Sequence, residues 1–205
     1  SAVDTHAHVI VGAGSAGLAT AALLRRAGFE PVILEAGPEP GAAWRDRYDR
    51  LRLHTPRLLS GLPGRRIPRR FGRWVPRDGL IEYLREYAEG EGLDVRTGTR
   101  VERIERDGDA WRLDTSDGPW RAEHVIVATG GSTGNVEVRR MFDPRLTEEY
   151  CGLAGGPWSD QDASGELASM AIGASLWGLD NQTAEFGAVI TKPGRIGSQW
   201  GYVNL

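Results

Sequence analysis

Sulfur and lysine are the scarcest resources of this 205-residue sequence. There is one cysteine, Cys151, so an internal disulfide and a C-x-x-C redox pair are both excluded, and dithiol reductase chemistry with them. Histidine occurs at positions 6, 8, 54 and 124 only, too scattered for the spaced ligand clusters that hold zinc. No apolar run approaches the roughly 18 residues of a membrane-spanning helix. The opening SAVDTHAH is polar and lacks both the basic and the apolar segment of a secretory signal, so a cytoplasmic protein without a membrane partner is expected. Lysine occurs once, at Lys192, among 25 basic residues; this arginine bias reads as a property of the source genome. The net charge of −3 gives no footprint for nucleic acid or for an acidic bilayer.

What is present is concentrated between His8 and Glu35, HVIVGAGSAGLATAALLRRAGFEPVILE. Val9-Ile10-Val11 is an apolar run of strand length. The turn Gly12-Ala13-Gly14-Ser15-Ala16-Gly17 follows, then a helical pattern with Leu18, Ala21, Ala22 and Leu24 on one face. Gly28 stops it, and a second apolar run, Val32-Ile33-Leu34, ends on Glu35. In such a βαβ unit the first glycine allows the tight turn. The second lets a pyrophosphate approach the backbone, and the third lets the helix pack on the strand. Free N–H groups at the helix start face the phosphates. Glu35, 18 residues after Gly17, stands where an acid accepts bonds from a ribose hydroxyl. The fingerprint predicts a dinucleotide and does not by itself separate FAD from NAD.

Residues 36 to 76 are rich in Pro, Gly and Arg, with a short helix expected from Trp44 to about Asp49. From Arg45 to Arg77 there are 11 arginines and two acids, Asp46 and Asp49. Most of these arginines are expected to be a solvated surface. The sharper alternative is a loop whose guanidiniums face a polyanion. Residues 78 to 90 form an amphipathic helix, with Asp78 as its N-cap and Leu80, Ile81, Leu84, Tyr87 and Ala88 on one face. LDVRTG then reads as a strand. A three-stranded meander follows, turning at Asp107-Gly108 and at Ser116 to Pro119. His124 to Gly130 reads as a buried strand.

The predicted architecture is therefore an α/β, Rossmann-like three-layer fold, with a parallel sheet and a β-meander as crossover, over residues 1–130. Residues 131–205 form a C-terminal extension of different texture, with nine acids against five bases. In it ELASMAIGASLW is expected to be helical, and FGAVIT and WGYVNL are expected to be strands.

The opening stretch, Gly41-Ala42-Ala43-Trp44, LRLHTP at 51–56, Leu62-Pro63, the helix at 78–90 and VIVATG at 125–130 occur in that order. Over residues 8–130 this resembles the first half of flavin-containing monooxygenases, the NADPH-dependent FAD enzymes that include the Baeyer–Villiger and indole-pyruvate oxygenating branches. The resemblance implies FAD as cofactor, with Gly12, Gly14, Ser15, Ala16 and Gly17 around its pyrophosphate and Glu35 with Ala36 at its ribose. It implies Gly41, Trp44 and Arg45 near the phosphate and ribityl part. The loop Leu53-His54-Thr55 would run toward the isoalloxazine ring, the Val101 backbone would meet the adenine, and Ala128, Thr129 and Gly130 would close the site. His54 is the one candidate acid–base group; its competing reading is a hydrogen-bonded structural histidine.

The implied reaction transfers one oxygen atom from O₂ to a small organic substrate through a flavin C4a-peroxide, after reduction by NAD(P)H. After Gly130, however, no strand leads into a second G-x-G-x-x-G, and the family's F-x-G-x-x-x-H signature does not occur. A compact FAD oxidase or dehydrogenase fed by a reductase partner or a free reductant is thus a second reading. A non-catalytic flavin-binding or interaction module is a third, and a homo-oligomer is compatible with each.

Overall fold

The structure, a computed structural model, describes residues 3–132, 135–142, 161–176, 187–192 and 195–199. The chain divides into two compact units, Ser1–Thr129 and Gly130–Leu205.

The first unit is built on one six-stranded sheet. Its strands are β1 (Asp4–Val11), β2 (Val32–Leu34), β3 (Asp94–Arg96), β4 (Val101–Asp107), β5 (Ala110–Thr115) and β6 (Gly118–Val127), in the spatial order β3-β2-β1-β6-β5-β4. β1 runs parallel to β2 and to β6, and β2 parallel to β3. The pairs β4–β5 and β5–β6 are antiparallel. β1 is central, and its Val9-Ile10-Val11 run is buried on both faces, as a parallel strand covered on two sides requires.

The period-2 alternation sorts these side chains into two apolar layers. Ile10 and Ile33 pack with Leu18, Ala21 and Ala22 of α1 (Ser15–Arg26) and with Leu80, Tyr83, Leu84 and Tyr87 of α2 (Arg77–Gly90). Val9, Val11, Val32 and Leu34 pack on the other side with Leu113, Trp120 and Ala122 of the meander. The helices thus cover one face of the sheet, and on its other face apolar side chains of its own meander strands pack with those of β1 and β2. Truncating a fully buried side chain such as Ile10 to alanine is expected to cost about 2–5 kcal/mol.

β6 is a single ten-residue strand rather than a turn followed by a separate strand. Its first half pairs with β5, with only Ser116-Asp117 between Thr115 and Gly118. From Trp120 to Val127 it also runs beside β1. Meander and parallel sheet are therefore one hydrogen-bonded surface.

α2 begins one residue earlier than its sequence pattern suggests. Pro76, with φ −71° and ψ 158°, takes the cap position, and Leu80 N–H donates to its carbonyl at 2.9 Å. Asp78 sits in the first helical turn and pairs with Arg77 at 2.8 Å, so it is not the N-cap. Proline suits this place because it fixes an extended entry and has no N–H to leave unsatisfied. α2 also holds the long loop down. The Tyr83 hydroxyl accepts from Leu62 N–H at 2.7 Å and donates to the Arg65 carbonyl at 2.6 Å, while Tyr87 donates to the Pro63 carbonyl at 2.8 Å. Burial pushes both phenols above their ordinary range. The loop holds no helix from Trp44 to Asp49; it makes short 3-10 turns at Ala42–Trp44, Arg57–Leu59 and Arg69–Phe71.

In the second unit, α3 (Val136–Phe142) was not legible from periodicity; the Asn135 carboxamide accepts Val138 N–H at 3.0 Å and caps it. α4 (Ser164–Ala171) is shorter than the expected helix, which Gly173 (φ 99°) helps to end. β7 (Gly187–Lys192) and β8 (Arg195–Gln199) form an antiparallel pair, so the second strand precedes WGYVNL, which lies outside the described residues. Cys151 also lies outside them. Among the described residues no helix is long and apolar enough to cross a membrane, and no group of three His, Cys, Asp or Glu is placed to hold a metal ion.

Candidate dinucleotide site

The β1–α1 turn forces two of its glycines and leaves the third free. Gly12 has φ 106°, and a Cβ there would lie 2.5 Å from the Ala128 carbonyl oxygen at the end of β6. A Cβ on Gly17 would collide with the Gly12 carbonyl oxygen. Both positions are therefore demanded by the chain's own packing. Gly14 differs: its φ of −78° suits any residue, and a Cβ there would meet no atom within 4 Å. The space beside Gly14 is open, as a backbone that must be approached by a ligand requires.

Gly14 is also the N-cap of α1. No side chain caps this terminus, and its first turn holds no acid. The first intrahelical bond is Leu18 N–H to Gly14 C=O at 3.0 Å, so the preceding amides have no intrahelical acceptor. The helix dipole adds positive potential at the same place. This is the donor set that a pyrophosphate needs.

Glu35 closes the site from the end of β2. Its backbone is fixed by N–H donation to the Arg96 carbonyl and by acceptance from Thr99 N–H, both at 2.9 Å. Its carboxylate accepts Ala13 N–H through Oε2 and Gly37 N–H through Oε1, each at 2.7 Å. A carboxylate has about four acceptor sites, so each oxygen keeps capacity for a hydroxyl donor such as a ribose. Gly41 joins the cluster by donating to the Ala13 carbonyl at 3.0 Å. Its φ is 77°, and a Cβ would lie 2.7 Å from Leu84 Cδ1. Ala128 N–H donates to the Val11 carbonyl at 2.9 Å. The structure thus brings together Gly12, Gly14, Ser15, Ala16, Gly17, Glu35, Gly41 and Ala128. Ala13 and Gly37 belong with them through their amides and were missed. Gly37, two residues beyond the acid, was the available signal.

The remaining candidates are placed by their own elements. Ala36 and Thr129 are exposed, and Gly130 (φ 101°) opens the second unit. Trp44 is half-buried against the α1–α2 core, with the Arg47 guanidinium 5.9 Å from its ring centre. Arg45 is exposed and ion-paired with Glu39, so its charge already has a partner. Leu53 packs on the same core and donates to the Val75 carbonyl at 2.8 Å. His54 and Thr55 are exposed, and Thr55 Oγ1 lies 2.6 Å from Ser60 Oγ. Val101 opens β4 beside a break in register with β5.

The arginine-rich loop is largely self-fastened. Arg70 pairs with Glu82 and Glu86 of α2 at 3.1 and 2.5 Å. Arg77 pairs with Asp49 at 3.0 Å, and Arg65 donates to the Glu86 carbonyl at 2.8 Å.

Parallel strands with a glycine turn after the first and an acid after the second define a Rossmann-type fold of the dinucleotide-binding class. A family model described as pyridine nucleotide-disulphide oxidoreductase matches residues 9–133, and the chain belongs to that family. Among its relatives, the indole-3-pyruvate monooxygenase YUCCA1 of Oryza sativa subsp. japonica is 37% identical over 150 residues, 71% of this chain and 36% of that protein. An uncharacterized CzcO-like oxidoreductase of Geobacillus kaustophilus is 33% identical over 122 residues, 60% of this chain and 35% of that protein. The flavin-containing monooxygenase structure from Stenotrophomonas maltophilia superposes with a TM-score of 0.61 at 35% identity, covering 65% of this chain and 41% of that one. The chain thus spans well under half the length of these relatives.

Proposed function

We propose that this chain binds FAD at the β1–α1 turn and forms the FAD-binding part of an NAD(P)H-dependent flavin monooxygenase acting on a small organic substrate. The observation that carries the cofactor reading is the open space at Gly14, in front of an uncapped helix N-terminus. The relatives' flavin chemistry supports the reaction class. The amides of Gly14, Ser15 and Ala16 hold the pyrophosphate, and the spare acceptor sites of Glu35 hold the adenosine ribose. Gly41 and Trp44 border the ribityl part, and Leu53, His54 and Thr55 orient the ring. When bound, FAD supplies the redox chemistry and the activation of dioxygen. The protein contributes binding, orientation and exclusion of water.

The test is reconstitution of the purified chain with FAD, read by absorbance near about 450 nm and by mass of the extracted cofactor. Retention of FAD, with loss on Gly14→Val, is the expected result. A chain that stays colourless, or that keeps flavin in Gly14→Val, overturns the reading. Anaerobic addition of NADPH to the yellow protein then tests the electron donor by bleaching.

A further inference from the structure

We propose that the turn at Arg57–Leu59, with Trp74, is a docking face for an anionic membrane surface. Leu58 is 65% exposed, Leu59 79% and Trp74 42%. They are neighbours, because Arg57 N–H donates to the Arg73 carbonyl at 2.8 Å and so ties the turn to the residue before Trp74. A shallow groove of about 590 Å³ runs here, lined by Pro56, Leu58 and Leu59 and by Arg57, Arg69 and Arg73. Leu58 and Leu59 thus protrude side by side from one groove that arginines line.

The charged residues that line the groove, Arg57, Arg69 and Arg73, are of one sign. Residues 50–77 contain no Asp or Glu. Arg70 of the same loop and Arg77, which opens α2, are answered by carboxylates. Arg57, Arg66, Arg69 and Arg73 are not: among the described residues Arg57 reaches only the Ile67 carbonyl, and Arg73 only the Trp74 ring, 5.3 Å away. Unanswered guanidiniums around protruding leucines complement anionic headgroups above an acyl boundary, and tryptophan suits the interface between them. The net charge of −3 conceals this, because the remainder of the chain outweighs the loop.

A bilayer fits better than a soluble small anion. Ligand pockets bury most of their ligand's surface, whereas a groove whose own Leu59 is four-fifths exposed offers little enclosure. The face lies on the helical side of the sheet, since the loop packs through Ile67 and Val75 into the α1–α2 layer. The meander on the opposite side therefore supplies a control surface.

The test is co-sedimentation of the full chain with large vesicles of phosphatidylcholine, alone or with phosphatidylglycerol as a minority lipid. Binding is expected to phosphatidylglycerol vesicles only, and to weaken as salt is raised. Arg69→Glu with Arg73→Glu, and separately Leu58→Ser with Leu59→Ser, should each lower partitioning by about tenfold or more. Arg100→Glu with Arg103→Glu on the meander, an equal change in net charge, should lower it far less. Unchanged circular dichroism of each variant separates lost docking from lost folding. Equal binding to both vesicle types, equal effects of the two charge-reversal pairs, or no vesicle binding overturns the proposal. Saturable decanoate binding without vesicle binding overturns it too, and assigns the groove to a small amphiphile.

Discussion

Glu35 Oε2 accepts the backbone N–H of Ala13 at 2.7 Å, so the acid that ends β2 holds the glycine turn that follows β1. Its other oxygen holds Gly37 N–H at the same distance. The residue that sequence reasoning assigns to a ribose is therefore also a clamp on the turn, made by the chain's own hydrogen bonds.

Glu35→Gln tests this double role. The carboxamide presents one acceptor oxygen and one NH₂ group, so one of the two backbone N–H groups faces a donor. Leaving a part-buried donor unsatisfied costs about 1–3 kcal/mol. The expected outcome is a lower melting temperature of the FAD-free protein, measured by differential scanning fluorimetry, together with weaker FAD retention. An unchanged apo melting temperature would mean that the clamp contributes nothing.

Gly14 and Gly17 of the turn should separate stability from binding. Gly14→Ala places a methyl in open space and should change apo stability by no more than about 0.5 kcal/mol, while sharply weakening FAD. Gly17→Ala drives a methyl into the Gly12 carbonyl and should destabilise by about 1–3 kcal/mol even without cofactor. Urea unfolding of the two apo variants, paired with FAD titration, measures both quantities. Equal destabilisation would show that Gly14 serves the fold rather than a ligand.

Much of this was legible because it is local. The Val9–Val11 run, the glycine spacing and the distance to Glu35 are short-range patterns with one common solution. The α2 face was legible from its 3.6-residue period. What sequence hid was long-range or cooperative. Arg77 finds Asp49 28 residues away, and Tyr83 finds Leu62 21 residues away. No window of residues shows such pairings. The continuity of β6 was hidden by Gly118-Pro119, which read as a turn. Pro119 sits within the second residue pair of the strand, near the end where a missing N–H is tolerated.

Arg45 provides a test of how far resemblance carries. It is exposed and paired with Glu39, and an exposed pair contributes about 0–1 kcal/mol. If it also gripped FAD phosphate, Arg45→Ala would cost a charge-assisted bond, about tenfold or more in affinity. The ion pair predicts a change of less than about threefold, read by fluorescence titration with FAD.

The paired tyrosines predict an alkaline limit to the fold. Burial raises the Tyr83 and Tyr87 hydroxyls above their ordinary value, so the folded state holds these protons more tightly than the unfolded chain does. The corresponding stability is fully present below the unfolded phenol pKa of about 10 and is lost as pH rises through the folded values. Tyr83→Phe should lower stability near neutral pH by about 1–3 kcal/mol, because Leu62 N–H loses its acceptor. Above about pH 10, however, the wild-type chain should lose stability faster than the variant, since the variant has no proton to release at that site. Urea midpoints measured from pH 8 to 11 should therefore converge. Parallel curves would show that the Tyr83 phenol titrates alike in both states.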